Sequence, residues 1–400
     1  MLSASKRSTK SLVSCLVQTR SVHRFPLSSD IHILKNGETR ITSGPGGRHS
    51  KTGFTATVFG GTGFLGKLLV SKLGKHGTTT VVPYRNEYVK RQLKVNGDLG
   101  VINFQEFDIR NLESIENSLK CSDIVFNLLG SEQNTKNFSM ADANIEGSRR
   151  IAEAAKKYGV PRFIQVSSYN ADPKSKSVFF ATKGIAEEVV RDIIPDSTIV
   201  RPAPMYYRNS PFLNELFTLT KPGGNILLRQ SVYPTHALQV AQALEKIGYD
   251  DSTAGKTYEL YGPEKYSKAE LREMLKYITH IGMYGFFPAA IGYNFPLPEV
   301  GAKLWCWINE KFNSSQLALT TDSYTRSKID QVVDQSALTY KDLGMVPDEL
   351  ADYLYKYAKP HIVASSQAQN RTVYGREEID KLREFVHTPK NSLDLLNMKG

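Results

Sequence analysis

The fold of this chain is decided at Gly60-Gly61-Thr62-Gly63-Phe64-Leu65-Gly66. This stretch follows an apolar run at residues 54–59, which predicts a strand, and it opens residues 63–73, which have helical character. Glycines at its first, fourth and seventh positions are typical of the turn that places a diphosphate at a helix N-terminus. In this interpretation Gly60 turns the chain sharply, Gly63 lets backbone N–H groups approach phosphate, and Gly66 lets the helix pack on the sheet. A tight turn that holds no ligand is the alternative.

Further apolar runs alternate with helical segments after this turn. Strands are predicted at residues 79–83, 101–107, 124–129, 162–166 and 198–200, with helices at 141–158 and 180–194. Strands that alternate with helices form a parallel sheet with helices on both faces, and these runs are apolar enough for that position. We therefore predict an α/β fold, a Rossmann-type doubly wound parallel sheet, over residues 54–202.

The remaining segments differ in composition from this core. Residues 30–53 are polar around a Gly-Pro-Gly-Gly run and predict an extended arm, and residues 361–400 predict a polar tail or arm. Residues 203–360 predict a smaller, irregular C-terminal lobe, with some elements returning to the Rossmann core. That lobe carries aromatic residues among prolines, which indicate either a small aromatic core or a surface for partner subunits or lipid. They are Phe286, Phe287, Tyr293, Phe295, Trp305 and Trp307.

The N-terminal 29 residues contain five Lys or Arg, many Ser and Thr, and no acid. This pattern predicts a mitochondrial transit peptide, with a basic disordered tail as the alternative. The formal charge of the whole chain is +11, and it falls to +6 without this segment, which does not by itself indicate nucleic acid binding. Cys15, Cys121 and Cys306 show neither metal-ligand spacing nor a disulfide pattern, which suits a reducing compartment. No uninterrupted apolar run is long enough to predict a transmembrane helix.

The ends of the predicted strands indicate which nucleotide is bound. A carboxylate after the second strand would select NAD, but this chain has Arg85 there, whose guanidinium suits a 2′-phosphate and favours NADP(H). Arg85 as an adenine-stacking residue or a solvated charge remains open. Asp108, after the third strand, is a candidate for the adenine amino group or for a helix cap. Asn127-Leu128-Leu129-Gly130 closes the fourth strand, where the backbone would pass under the second phosphate and ribose.

Together with Arg201-Pro202, these residues resemble the short-chain dehydrogenase/reductase superfamily in its extended or atypical branch. Ser167, Ser168 and Lys183 match the family's substrate-orienting serine and ribose-binding lysine. The resemblance also implies a tyrosine four residues before that lysine, which exchanges a proton with substrate. Here that position is Phe179, and the nearby Tyr169 has the wrong spacing. The cofactor contacts are therefore retained while the catalytic step lacks its acid. A surface role for Lys183 is the alternative.

The chain also resembles a narrower family, the dehydrogenase-like accessory subunits of respiratory complex I. This likeness rests on the presequence, on Pro83-Tyr84-Arg85 and on the stretch from Asp123 to Gly130. It implies a peripheral subunit on the matrix side of the mitochondrial inner membrane, with other complex I subunits and inner-membrane lipid as partners. It further implies tightly bound NADPH that takes no part in electron transfer, and a role in assembly or stability near the membrane and quinone region.

Two other functions are also compatible with these residues. The first is an active NADPH-dependent reductase or epimerase that uses an unrecognised acid. The second is a redox-sensing NADP-binding regulator, which would bind one redox form of the nucleotide preferentially.

Overall fold

The computed structural model describes residues 31–34, 37–44, 50–135, 137–219, 230–279, 299–312, 320–361 and 375–387. The strands are β1 Ile31–Ile33, β2 Thr39–Ile41, β3 Thr55–Phe59, β4 Thr79–Tyr84, β5 Ile102–Glu106, β6 Ile124–Asn127, β7 Arg162–Val166, β8 Thr198–Pro202, β9 Met205–Tyr206, β10 Ser231–Val232, β11 Thr235–His236, β12 Thr257–Leu260 and β13 Tyr266–Ser267. The helices are α1 Phe64–Lys75, α2 Glu87–Lys90, α3 Leu112–Leu119, α4 Gly147–Lys157, α5 Val178–Ile193, α6 Pro211–Leu219, α7 Ala237–Tyr249, α8 Lys268–Thr279, α9 Glu299–Phe312, α10 Thr321–Arg326, α11 Ala351–Ala358 and α12 Arg376–His387.

Seven strands form one sheet in the order β12-β8-β7-β6-β3-β4-β5, and every neighbouring pair is parallel. This confirms the doubly wound parallel sheet. The chain reverses its direction of travel between β3 and β6, so the loops that follow these two strands lie side by side. In open α/β sheets a crevice for ligand forms at this point.

Alternating residues of the central strands supply two separate cores. Val58 and Phe126 face one side, where they pack with α1 and α7, whereas Phe59 and Val125 face the other side, with α3, α4 and α5. Because both faces are covered by helices, the strands need apolar residues at successive positions, as the sequence has them.

The segment predicted as an extended arm folds back as the antiparallel hairpin of β1 and β2. Arg40 of this hairpin forms hydrogen bonds of 2.6 and 3.0 Å with the carboxylate of Asp123, which lies just before β6 and is buried. Leu34 joins the sheet core. The segment therefore differs from a simple arm, because an ion pair and an apolar contact fix it to the sheet.

The C-terminal lobe has its own apolar core, built from α6, α8, α11 and α12 with Cys306 of α9. Helix α12 lies in the segment predicted as a polar tail or arm, and it packs on the C-terminal lobe. Ile379 and Leu382 are buried in the lobe, and Arg383 donates to Glu264 at 2.9 Å. Part of the C-terminal chain returns to the Rossmann sheet, where β12 pairs with β8.

Several predictions concern residues outside this description. The predicted transit peptide and four of the aromatic residues, Phe286, Phe287, Tyr293 and Phe295, lie there, and so does the side chain of Trp305. Within the described ranges, no helix combines the length and the apolar character required to cross a bilayer.

Candidate functional site

The glycine turn connects β3 to α1 at the switch point of the sheet. Gly60 has a φ of +78°, and a Cβ there would lie 3.0 Å from the backbone of Leu128. A Cβ on Gly66 would lie 2.2 Å from the Gly60 carbonyl oxygen. These two positions therefore require glycine for backbone conformation and for close approach. A Cβ on Gly63 would meet only the Gly60 oxygen, at 3.1 Å, so this position faces open space.

The N-terminus of α1 is open beside this space. Gly63 is the N-cap residue and has no side chain to cap the helix, and the first turn contains no acidic residue. The first backbone N–H groups of α1 and the positive end of its dipole are therefore available to an anion. Gly61, Thr62, Phe64 and Leu65 complete the turn, and the side chain of Leu65 is buried in the sheet core.

Two exposed charged residues follow the strands on the other side of the turn. Arg85 comes directly after β4 and forms no hydrogen bond or ion pair with another described residue. Asp108 follows β5, and its Oδ1 accepts from the backbone N–H of Arg110 at 2.9 Å. Asp108 thus stabilises a local turn, while the cap of α3 is Asn111. The helix-cap alternative for Asp108 is therefore wrong, and its contact with the adenine amino group stays a prediction.

The loop after β6 is held by buried amides. The side chain of Asn127 donates to Gln165 at 2.8 Å and to Ser148 at 3.2 Å, and it accepts from the backbone N–H of Leu129. Asn144, in a π-helical turn at Asp142–Glu146, makes reciprocal bonds with the backbone of Ser131. Asn127 therefore positions residues 128–130, since its side chain is fully engaged within the protein.

Lys183 of α5 reaches the same loop. Its side chain is buried, and Nζ donates to the carbonyl oxygen of Leu129 at 3.2 Å. Gly130 has no room for a side chain, because a Cβ there would lie 2.6 Å from this Nζ. Burial lowers the pKa of Lys183 from 10.5 to about 8, although the charges of Glu132 and Glu187 act in the opposite direction. Lys183 is thus a buried ammonium at the edge of the crevice, not a surface lysine.

Ser167 and Ser168 follow β7 and are both buried. The hydroxyl of Ser167 has no hydrogen-bond partner within the described part of the chain. A buried polar atom without a partner is unusual and indicates a group that binds something else. On the neighbouring strand, Arg201 of β8 forms a two-pronged ion pair with Glu187 of α5, which fixes the helix that carries Lys183.

Phe179, one turn before Lys183 on α5, is covered. The guanidinium of Arg326 lies 4.8 Å from the centre of its ring and pairs with Glu132 at 3.0 Å. Phe180 and Met140 pack beside it. The space next to residue 179 is therefore taken by a side chain of the protein itself.

Tyr169, the nearest phenol in sequence, is bound elsewhere. Its ring packs against Phe180, and its hydroxyl accepts from Gln230 at 3.3 Å. Burial raises its pKa to about 12, although the charge of Arg326 opposes this. Tyr169 is therefore a weak acid held by a neighbouring amide.

Arg326 belongs to residues 320–332, which we call the cover segment. Helix α10 in this segment places the Asp322 carboxylate at the N-terminus of α5, where it accepts from the Val178 N–H at 2.7 Å and from the Ser177 hydroxyl. At the other end, Asn170 donates to the Asp330 carbonyl oxygen at 2.7 Å and accepts from the Val332 N–H. The cover segment is thus fixed to the loop after β7 at both ends.

The sequence interpretation did not include Arg326, Glu132 or Asp322. Asp322 lies 145 positions from its partner Ser177, so no local spacing connects them. The α10 N-terminus does carry a local signal, the capping box between Thr320 and Ser323, which predicts a helix start but not its target.

Comparison with known proteins agrees with this fold. Residues 56–189 match the model of the NAD dependent epimerase/dehydratase family. The solved structure of MoeE5 in complex with UDP-glucose and NAD superposes with a TM-score of 0.53 over 79% of this chain and 100% of that one, at 16% identity. That likeness concerns the fold alone.

Several relatives match most of the chain. The mitochondrial NADH-ubiquinone oxidoreductase 40 kDa subunit of Neurospora crassa is 42% identical, over 90% of this chain and 92% of that protein. The mitochondrial NADH dehydrogenase (ubiquinone) 1 alpha subcomplex subunit 9 of Mus musculus is 34% identical, over 78% of this chain and 81% of that protein. The chain belongs to the family of these proteins, the dehydrogenase-like accessory subunits of complex I.

Proposed function

We propose that this chain is a non-catalytic, NADPH-binding accessory subunit of mitochondrial complex I. One observation carries the proposal. The crevice keeps an open helix N-terminus and a buried lysine for a nucleotide, whereas the reaction position is a phenylalanine covered by Arg326. The first feature supports binding and the second argues against turnover.

The residues present fit a dinucleotide. The backbone of Gly60–Gly66 and the open end of α1 would hold the diphosphate, with residues 128–130 under the second ribose. Lys183 and the unpartnered hydroxyl of Ser167 would face the nicotinamide end. Asn127 would act by positioning residues 128–130. Asp108 would stabilise a turn beside the adenine. When bound, such a nucleotide supplies hydride chemistry in active members of the superfamily.

Arg85 supports NADPH in preference to NADH. A 2′-phosphate adds charge at the adenosine ribose, and a guanidinium binds phosphate with two parallel hydrogen bonds. Arg85 lies at the end of β4 with no competing acidic partner among the described residues. Replacing it should therefore weaken NADPH binding much more than NADH binding.

Phenylalanine at the position of the family's proton donor supports a non-catalytic role. A hydride transfer to a carbonyl needs an acid beside the oxygen, and phenylalanine at position 179 has no proton to give. The guanidinium of Arg326 forms an ion pair with Glu132, and the surrounding charges raise its pKa. Because it therefore keeps its proton, Arg326 cannot replace the missing acid.

A nucleotide held without turnover can stabilise the fold. A ligand that binds only the folded state contributes about 2.7 kcal/mol at 100 times its dissociation constant. Total stabilities are typically about 5–15 kcal/mol, so this is a large fraction for a subunit that must survive until it is assembled. The relatives named as subunits of NADH–ubiquinone oxidoreductase support assembly of this chain into the same complex. Its position on the matrix side of the inner membrane is part of the proposal.

The proposal is tested with mitochondria that carry either the wild-type chain or Arg85→Ala. We expect the wild-type chain to migrate with complex I on native gels and to release NADPH when the isolated complex is denatured. With Arg85→Ala, the NADPH content and the amount of assembled complex should both fall. Unchanged NADPH content and complex level in this variant would refute the proposal.

The same material separates the two alternatives. Steady NADPH oxidation by the purified chain with a carbonyl substrate would identify a reductase. Calorimetric binding that strongly prefers NADP⁺ or NADPH, with free migration outside the complex, would identify a redox sensor. Lys67→Ala is a suitable control, because it removes a surface cation that binds Gln92 and leaves Arg85 intact.

A further inference from the structure

Beyond the first 29 residues, the net positive charge of this chain is concentrated in one segment. Residues 67–97 contain seven Lys or Arg and one acid, a net +6. Without the first 29 residues the whole chain also carries +6, so the rest of it is electrically balanced. On an ordinary solvated surface, basic and acidic residues are interspersed. Here the excess of basic residues lies in α1 and in the connection from β4 to β5.

These cations share a face because α1 and that connection pack together. Lys67 of α1 donates to Gln92 at 2.7 Å, and a Cβ on Gly74 would lie 2.6 Å from the Asn96 carbonyl oxygen. Between them lies a hollow of about 330 Å³ whose lining includes Lys72, Lys75 and Val95. We call this hollow, together with the exposed Arg91 and Lys94 of the adjoining connection, the basic face.

Most of this charge is not neutralised within the protein. Glu87 is paired with Lys90. Four further cations form no ion pair with any described residue, and they are Lys72, Lys75, Arg91 and Lys94. Their charges therefore remain available to an external anionic partner.

Apolar side chains project from the same loop. Val95 is 82% exposed and Leu99 is fully exposed, and Tyr88 is also largely exposed, with the Arg91 guanidinium 5.1 Å from its ring centre. Exposed apolar side chains are stabilised when they move from water into an apolar environment. At a lipid surface they enter the headgroup region while the cations meet phosphate, and tyrosine is favoured at that depth.

We propose that the basic face is a docking site for an anionic lipid surface. Charge complementarity selects a phosphate-rich partner, and the exposed Val95 and Leu99 favour a bilayer over an acidic polypeptide, since only the bilayer gives them an apolar environment. The inference deepens the proposed function, because it names the surface by which a peripheral subunit would contact the membrane. It places that surface on the Rossmann domain.

The test is sedimentation of the purified full chain with phosphatidylcholine vesicles, with and without phosphatidylglycerol. Binding should require the anionic lipid and decrease with salt. Changing Lys72, Lys75, Arg91 and Lys94 to Gln should weaken binding by about 5-fold for each cation, more than about 100-fold in all. A control with the same charge change, at the exposed Lys120, Lys156, Lys174 and Lys341, should bind nearly as well as wild type.

A second variant tests the apolar contribution. Val95→Ser with Leu99→Ser keeps every charge, and we expect it to weaken vesicle binding at least several-fold. Equal binding of this variant and wild type, together with capture on a polyglutamate resin, would overturn the lipid assignment in favour of an acidic polypeptide. Failure of wild type to bind anionic vesicles would also overturn it.

Complex I assembly is measured separately by native gel migration. A chain that assembles but does not bind vesicles contradicts only the lipid inference. A chain that binds vesicles but never migrates with the complex contradicts only the proposed function. Circular dichroism and NADPH-dependent thermal stabilisation show that each variant is folded.

Discussion

The two halves of the crevice are built in opposite ways. The phosphate half consists of residues 60–66 and 128–130. It presents mainly backbone groups, and the space in front of Gly63 is open. The reaction half, around Phe179, is filled by the protein's own side chains, Arg326 and Glu132. A site under selection for turnover needs both halves open to ligand. The contrast supports the proposal that this crevice recognises a nucleotide and leaves no access for a second reactant.

The largest expected effect comes from closing the phosphate half with a side chain. Gly66→Val places a Cβ 2.2 Å from the Gly60 carbonyl oxygen. Because this oxygen belongs to the backbone, it cannot move aside as a flexible side chain could. We expect the free energy of unfolding of the nucleotide-free protein to fall by about 3 kcal/mol. Urea denaturation followed by circular dichroism measures it.

Gly63→Ala is the matched control for this change. Its φ of −73° accepts alanine, and its Cβ meets a single oxygen at 3.1 Å. We expect a loss below about 1 kcal/mol without nucleotide, but a clear loss of stabilisation by NADPH. Equal effects of the two substitutions without ligand would show that the turn is purely structural.

Lys183 gives the next largest effect and connects the two halves. Its pKa of about 8 in the folded protein, against 10.5, means that the charged form is disfavoured by about 3 kcal/mol. Without nucleotide, Lys183→Met should therefore be up to about 3 kcal/mol more stable than wild type at pH 7.

The difference should disappear as the pH rises. Between pH 8 and about 10.5 the unfolded lysine keeps its proton while the folded lysine loses it, so wild type gains stability relative to the variant. Added NADPH should reverse the order at pH 7. A difference that stays constant across this pH range would contradict a buried ammonium.

The sequence predicted the phosphate half more completely than the reaction half. Gly60, Gly66 and the strands β3 and β6 lie within short, patterned stretches whose spacing carries the geometry. By contrast, the contact of Arg326 with Phe179 joins residues far apart in the chain. The spacing to Lys183 locates Phe179, but no local pattern points to Arg326. Asn127 illustrates a third case, because sequence placed it at the site while only the structure shows that its amide binds Gln165.

The anchor of the cover segment gives an intermediate effect. Asp322→Ala leaves the Val178 N–H and the Ser177 hydroxyl without their partner, which should cost about 2 kcal/mol. Hydrogen exchange should become faster in residues 320–332 and at the start of α5, with little change in α1. Thr321→Ala on the same helix removes a bond to Glu310 instead, and should leave exchange in α5 unaltered.

The smallest expected change in stability, and the sharpest test of the contrast, is Phe179→Tyr. The substitution supplies the phenol that the superfamily places one turn before the lysine, in a cluster with Met140 and Phe180. We expect less than about 1 kcal/mol change in unfolding free energy. No oxidation of NADPH should appear with carbonyl substrates, because the Arg326 guanidinium occupies the space beside the ring.

Combining Phe179→Tyr with Arg326→Ala separates the two reasons for inactivity. If the missing acid and the missing space both matter, NADPH oxidation should appear only in the double variant, measured by nicotinamide absorbance. Activity in Phe179→Tyr alone would show that Arg326 leaves the reaction half accessible, and the contrast between the halves would then reduce to a single missing hydroxyl. Arg326→Ala alone is the control, because it opens the space without supplying an acid.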